Sequence, residues 1–357
     1  VKFFKDPGYA TEKMTPDIKT AYFDFYGNRL CVDGPTPLIE EICMDFAYFT
    51  SGPASVAIQK LCNTRIIISA AAPESPAGAR LIFNWKGCRV YLRSDGKRLV
   101  VYPQGASCLC DYASGAFELK TTDQPLSREL SYLLILYRAG ETLDIKGFHR
   151  LHAGALACGK RPLLFCGARG AGKTTLLIEL LKQPCFSLIS DDTPLIGRNG
   201  TFYPFPLRLG IGRENPHFNA ISGLRPFRRR YYPEKFLLDN WIPVPGKAEP
   251  VRGGFLFTLR KGIKPSFREL GKAAAWGELS KSLVLGLGVP QMGEYFIRLS
   301  PKQIFLKSGV VISRLKAARA LINSSSLWEF ETGPAPAANA AALRDFFGRH
   351  SVPAAPS

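Results

Sequence analysis

Apolar positions change their period along the chain, and the change divides it. After Thr36-Pro37, which reads as an N-cap with proline at the first helical position, Leu38, Ile39, Ile42, Phe46 and Phe49 recur at a helical spacing. Short extended runs follow over 65–69, 80–85, 89–93 and 98–102, the last two joined by Ser94-Asp95-Gly96-Lys97, whose Asp-Gly favours a tight hairpin. This pattern predicts an accessory domain over 1–125, mostly β (α+β), with a meandering antiparallel sheet and one helix. Leu130, Leu133, Leu134, Leu136 and Tyr137 then predict a helix from about Ser127 that stops near Gly140, within a linking segment over 126–146. Strands and helices alternate over 147–332, the pattern of an α/β domain. The Ala- and Pro-rich stretch over 333–357 predicts a tail of low order with one short helical run over 341–347.

Composition narrows the class without choosing a function. The 357 residues suffice for two domains, and 46% hydrophobic with 21% charged residues is an ordinary globular balance. With no apolar run of about 18 residues, no membrane span is expected. The start, Val1-Lys2-Phe3-Phe4-Lys5-Asp6, shows no basic-then-apolar leader, and a cytoplasmic location is the expectation. Nine scattered cysteines, of which only Cys108 and Cys110 sit close in sequence, read as thiols in a reducing compartment rather than a disulfide framework. The formal charge of +18 attracts polyanions in general, from nucleotides to acidic peptides. His149, His217 and His350 show no ligand spacing with Cys or carboxylates, so a zinc site is not supported. No G-x-S-x-G stretch is present.

The chemistry concentrates in one segment. Leu163-Leu164-Phe165-Cys166 reads as a buried strand running into Gly167-Ala168-Arg169-Gly170-Ala171-Gly172-Lys173-Thr174, a full match to G-x-x-x-x-G-K-[ST]. Leu176, Leu177, Leu180 and Leu181 continue it as an amphipathic helix. In such a loop, backbone N–H groups and the helix N-terminus face phosphates. The residues from Gly167 to Thr175 are therefore expected to hold ATP, with Lys173 on the β and γ phosphates and Thr174 on Mg2+. A chance glycine-rich turn would not come with strand, loop and helix in this order. The next strand, over 186–190, ends in Asp191-Asp192. One carboxylate suffices for a metal, and the second could accept a proton from an attacking hydroxyl; a turn with Thr193-Pro194 is the plainer reading of Asp192. His152, fifteen residues before Gly167, reads by itself as a structural histidine beside a strand.

In order, His152-Ala153-Gly154, the loop from Gly167 to Thr174, and Ser190-Asp191-Asp192 resemble the HPr kinase/phosphorylase superfamily, whose catalytic domain is related to the ATP-dependent phosphoenolpyruvate carboxykinases. The likeness is good over 148–215 and loose beyond. It implies an α/β P-loop catalytic domain of that type and transfer of the γ-phosphate to a serine hydroxyl. Asp191 would take the metal, Asp192 would be the base and His152 would support both, with the two aspartates open to exchanging roles. Phe205-Pro206-Leu207-Arg208-Leu209-Gly210-Ile211 is the nearest counterpart of a later family signature; it keeps an Arg and lacks a Glu, so HPr itself is not the expected acceptor. Arg208 and Arg213 are candidates for contacting γ-phosphate or substrate. The basic stretch from Arg225 to Lys235 reads as a solvated loop or a mobile substrate-facing one, with nucleic-acid binding the weakest alternative. The expected function is an ATP- and Mg-dependent serine kinase acting on a peptide or small protein. The alternatives are a kinase of a small-molecule hydroxyl compound and a nucleotide-binding ATPase or switch module. A homo-oligomer is implied by the resemblance alone.

Overall fold

The computed structural model describes residues 17–51, 61–168, 170–230, 232–238, 250–284 and 301–350. The first half comprises β1 (Ile18–Phe25), β2 (Asn28–Pro35), α1 (Thr36–Asp45), β3 (Thr64–Ser69), β4 (Arg80–Trp85), β5 (Cys88–Leu92), β6 (Arg98–Tyr102), β7 (Ala106–Asp111), β8 (Ala116–Thr121) and α2 (Gln124–Lys146). Its strands form one eight-stranded sheet in the order β1-β2-β3-β8-β7-β6-β5-β4. The antiparallel meander is present from β4 to β8, and Asp95-Gly96 turns β5 into β6, with Gly96 at φ 79°. The prediction fails at β3, which lies parallel to both β2 and β8. The connection from β2 carries α1, and a crossover of that length returns the chain in the same direction. Thr36 does not cap its helix; its hydroxyl bonds Asp17 Oδ2 at 2.9 Å.

Helix α2 runs well past the predicted stop. Asp123 caps its start by accepting from the Leu126 N–H at 2.9 Å, and Gly147, at φ 88°, ends it. Gly140 is not a terminator but a gap: a Cβ there would collide with the Arg150 guanidinium. Nor is α2 only a link. Leu126, Leu130, Ile135 and Leu143 share one core with Phe23, Val32, Ile66 and Phe117 of the sheet, and Leu195 and Phe205 from the second half enter the same core.

The second half begins with β9 (Phe148–Arg150), β10 (Gly154–Cys158), β11 (Arg161–Cys166), α3 (Lys173–Leu181) and β12 (Phe186–Ser190). Short strands follow: β13 (Leu195–Gly197), β14 (Phe202–Tyr203), β15 (Gly210–Ile211), β16 (Arg225–Phe227) and β17 (Lys235–Leu237). The chain closes with β18 (Gly254–Lys261), β19 (Ser266–Glu269), α4 (Lys272–Leu279), α5 (Pro301–Ser324), β20 (Ser325–Thr332) and α6 (Pro336–His350). Six of these strands form a mixed sheet, β12-β10-β11-β18-β20-β19. Since β10 is antiparallel to β11 and β12, while β11, β18 and β20 are mutually parallel, the carboxyl ends of β11, β12, β18 and β20 share one end of the sheet with the start of β10. The fold is therefore mixed α/β, built in three layers. Alternate residues serve opposite faces: Leu163 and Phe165 pack with α3 and α6, Leu164 and Cys166 with α4 and α5.

The predicted tail of low order is overturned over 336–350, while 351–357 lie outside the described residues. Residues 336–350 form α6, whose Leu343, Phe346 and Phe347 are buried against Leu177, Phe186, Phe255 and Phe257. Alanine and proline content concealed an apolar stripe at helical spacing. No helix among the described residues is long and apolar enough to cross a membrane, and no disulfide joins cysteines among them.

Candidate functional site

The shared strand end determines what meets there. β11 delivers the glycine-rich loop, β12 delivers Asp191 and Asp192, and His152 lies two residues before β10, whose Ala155 pairs with Ser190. A cavity of about 1170 Å³ opens over this end and is lined by His152, Gly170 to Leu176, Asp191 and Asp192, among others. That volume exceeds the ~300–1,000 Å³ of an ordinary single-ligand pocket.

The loop adopts the shape its glycines permit. Gly170 (φ 81°) and Gly172 (φ 87°) are left-handed, and Ala171 N–H donates to Ala168 O at 3.1 Å, closing a turn. Among the described residues no side chain caps the first turn of α3, so its N-terminal amides are left to the cavity. Lys173 Nζ donates to Gly167 O at 2.8 Å and Ala168 O at 3.2 Å, which holds its ammonium over the loop. Burial lowers its pKa, and Asp192 and Asp191 pull it back up. Arg169 lies outside the described residues.

Thr174 Oγ1 donates to Asp191, 3.0 Å from Oδ1 and 3.2 Å from Oδ2. Burial, then the adjacent Asp192 charge, pushes the Asp191 carboxyl up to about 7, while Lys235, Thr174 and Lys173 act the other way. Asp192, by contrast, has 55% of its side chain exposed, and Lys235 Nζ lies 4.0 Å from its Oδ2. One aspartate is thus buried against the loop threonine while its neighbour faces the cavity. A hydroxyl and a buried carboxylate side by side suit magnesium, which keeps several waters and takes one or two protein ligands beside phosphate oxygens. Among the described residues no cluster of three or more His, Cys, Asp or Glu offers a closed metal cage. Thr175 Oγ1 accepts from Asn215 Nδ2 at 3.2 Å, tying α3 to the segment after β15.

The two candidate substrate arginines fare differently from expectation. Arg208 lines the cavity, but its Nη1 donates to Asp45 Oδ2 of α1 at 2.8 Å, and its guanidinium lies 3.4 Å from the Tyr132 ring centroid and 3.8 Å from that of Phe227. It is a cavity-lining guanidinium held in place by Asp45, Tyr132 and Phe227. Arg213 is exposed, pairs with Glu234 at 3.5 Å and stacks on Phe236; it does not line the cavity. The basic stretch is exposed at Pro226, Arg228, Arg230, Tyr232, Pro233 and Glu234, and its Arg229, Tyr232 and Lys235 line the cavity. β16 and β17 pair as a hairpin, Arg225 binds Asp45 at 3.1 Å, and Arg230 binds Asp123 at 2.9 Å and, through its N–H, Glu129 at 2.6 Å.

Sequence reasoning missed several wall residues. Glu129, Tyr132, Leu133 and Leu136 of α2 close one side, and Lys261, Thr332, Pro336 and Asn339 close the other. Asn339 holds its side of the wall by exchanging two hydrogen bonds with the Gly333 backbone, at 2.8 and 2.9 Å. The nearest sequence signal was the helical spacing of Leu133 and Leu136, which marks a packed face but not what it packs against. Lys235 stood in the basic stretch without any mark to distinguish it. No protein-family model matches the chain, and no curated protein matches it.

Proposed function

We propose that this protein is an ATP- and magnesium-dependent phosphotransferase with a P-loop catalytic domain of HPr kinase type. It moves the γ-phosphate to a hydroxyl, with a serine of a peptide or small protein as the favoured acceptor. The observation that carries this reading is the division of labour between adjacent aspartates, Asp191 buried on Thr174 and Asp192 exposed to the same cavity. A site that only held nucleotide would need the first and not the second.

In this reading the loop amides and Lys173 hold the β and γ phosphates, and Thr174 with Asp191 orient the metal. Magnesium, when bound, neutralises charge on the phosphate oxygens. Asp192 takes the proton of the acceptor hydroxyl as its oxygen bonds to the γ-phosphorus, and the bond to the bridging oxygen breaks with its electrons left on ADP. His152 lines the cavity near the carboxylates and supports their placement.

A second reading, a small-molecule hydroxyl kinase, is favoured by the wall of Glu129, Tyr132, Leu133 and Leu136 that α2 contributes to the cavity. Incubation with γ-labelled ATP, magnesium and a cell extract separates the readings. Labelled peptide or protein supports the first and a labelled metabolite the second. Release of free phosphate alone would reject both in favour of an ATPase or switch.

A further inference from the structure

The site described above uses one lysine, on the loop. A second lysine reaches the same carboxylates from another element. Lys235 opens β17, the central strand of the small sheet β15-β17-β16, and lines the cavity. Its path lies across Gly210 of β15, where a Cβ would come within 3.2 Å of Lys235 Cδ and 3.1 Å of Leu237 Cδ2. The glycine thus leaves the side chain room to run toward β12.

Its surroundings differ from those of the other cations on that wall. Arg208 is clamped to Asp45, and Arg229 donates from Nε to Pro233 O at 2.6 Å. Among the described residues Lys235 makes one ion pair, to Asp192 Oδ2 at 4.0 Å, beyond hydrogen-bond range. Its three N–H donors are therefore not committed to that carboxylate, and 35% of its side chain is exposed. Its charge is also felt at Asp191, as is that of Lys173. The aspartate pair consequently lies within the field of two ammonium groups, one from the loop and one from β17. Lys173 belongs with the leaving side, and Lys235 stands beside the group that would take the acceptor's proton.

We propose that Lys235 is a second catalytic lysine, donating to a non-bridging oxygen of the phosphoryl group in transit between ADP and the acceptor. This rests on the phosphotransfer reading. The acceptor oxygen forms a bond to the γ-phosphorus, the bond to the β,γ-bridging oxygen breaks with its electron pair left on ADP, and the acceptor proton passes to Asp192. Lys235 keeps all three of its protons. In the loose transition state charge spreads over the three equatorial oxygens. An ammonium donating there acts more strongly on that state than on bound substrate.

Binding of Mg-ADP with and without aluminium fluoride, a mimic of the transferring phosphoryl group, tests this without knowledge of the acceptor. For the unaltered protein, fluoride should tighten Mg-ADP about 100-fold or more. Lys235→Met keeps the apolar stem and removes the charge. It should bind Mg-ADP alone to within about threefold of wild type, keep the same melting temperature, and lose about tenfold or more of the fluoride tightening. Lys235→Arg should recover part of it. If Lys235→Met is tightened as strongly as wild type, Lys235 does not touch the group in transit and the proposal falls while the kinase reading stands. If Mg-ADP binding alone collapses in both variants, the lysine serves ground-state binding or folding, and the proposal is again overturned. If wild-type protein shows no tightening, the phosphotransfer reading falls first and takes this inference with it.

Discussion

At the scale of single residues, the two aspartates at the end of β12 differ in burial more than in sequence. Asp191 accepts from Thr174 beneath the cavity, whereas Asp192 is open to it. On the proposed phosphotransfer reading, Asp192→Asn should reduce transfer by about 10²- to 10⁴-fold, the usual worth of a general base, with Mg-ATP affinity little changed. Asp191→Asn should instead weaken the magnesium-dependent part of nucleotide binding. Titrations of nucleotide binding with and without magnesium, set beside transfer rates, check both. The opposite pattern would reverse the assignment of the two carboxylates. These residues were legible because a strand, its loop and the following helix are contiguous in sequence. Arg208 shows the limit of that legibility: its nearness to the loop in sequence marked it as a candidate, but its Asp45 partner, 163 residues away, could not be read from the chain.

At the scale of elements, two ties hold the layers in place. The first is a buried knot between α2, β9 and α5. Arg314 donates to both oxygens of Asp144 at 2.7 and 2.8 Å, and His149 Nδ1 donates to Asp144 Oδ1 at 3.0 Å. Burial pushes the Asp144 carboxyl up, but Arg314, His149 and Arg150 outweigh it and hold it at about 2, below the ordinary carboxylate value. This stabilisation is thus complete above the ordinary carboxylate value and is lost as pH falls through it toward 2. Asp144→Asn should therefore flatten the acid limb of the stability profile. At neutral pH it should cost about 3–5 kcal/mol, because Arg314 is left buried without its counter-charge. Urea unfolding at a series of pH values reads both effects. The second tie is α6. Phe346 stacks on Phe267 at 4.5 Å and meets Trp328 at 4.8 Å. Phe346→Ala should lower stability by about 3–5 kcal/mol, seen as a shift in the urea midpoint. A tail of low order at these positions would have made that substitution silent. Its alanines and prolines resembled a linker because composition averages away the spacing on which packing depends.

At the scale of the whole molecule, the halves are not separable units. Phe205 packs in the first core, Tyr26 Oη donates to Pro204 O, and Asp45, fully buried in the first half, receives Arg208 and Arg225 from the second and lies 3.6 Å from Arg128. Burial raises the Asp45 carboxyl, and the two arginines of the second half pull against that. Removing the charge strands those guanidiniums, so Asp45→Asn should destabilise the protein by about 3–5 kcal/mol. It should also loosen the Arg208 wall of the cavity. In the unaltered chain, tryptophan fluorescence and far-ultraviolet circular dichroism should follow one coincident unfolding transition; Asp45→Asn should lower its midpoint. Two well-separated transitions in the unaltered protein would contradict the shared core.

The sequence alone marked the glycine-rich loop, its lysine and threonine, the paired aspartates and four of the eight strands of the first sheet, β3 to β6. Each depends on neighbours within a few residues, where backbone geometry and side-chain period act directly. Tertiary structure decided the parallel insertion of β3, the docking of the basic hairpin on α1 and α2, the closure of the cavity by α2 and α6, and the approach of Lys235 to Asp192. Those outcomes depend on which distant surfaces bury each other, and one-dimensional periodicity shows that a face is apolar without showing what it will meet.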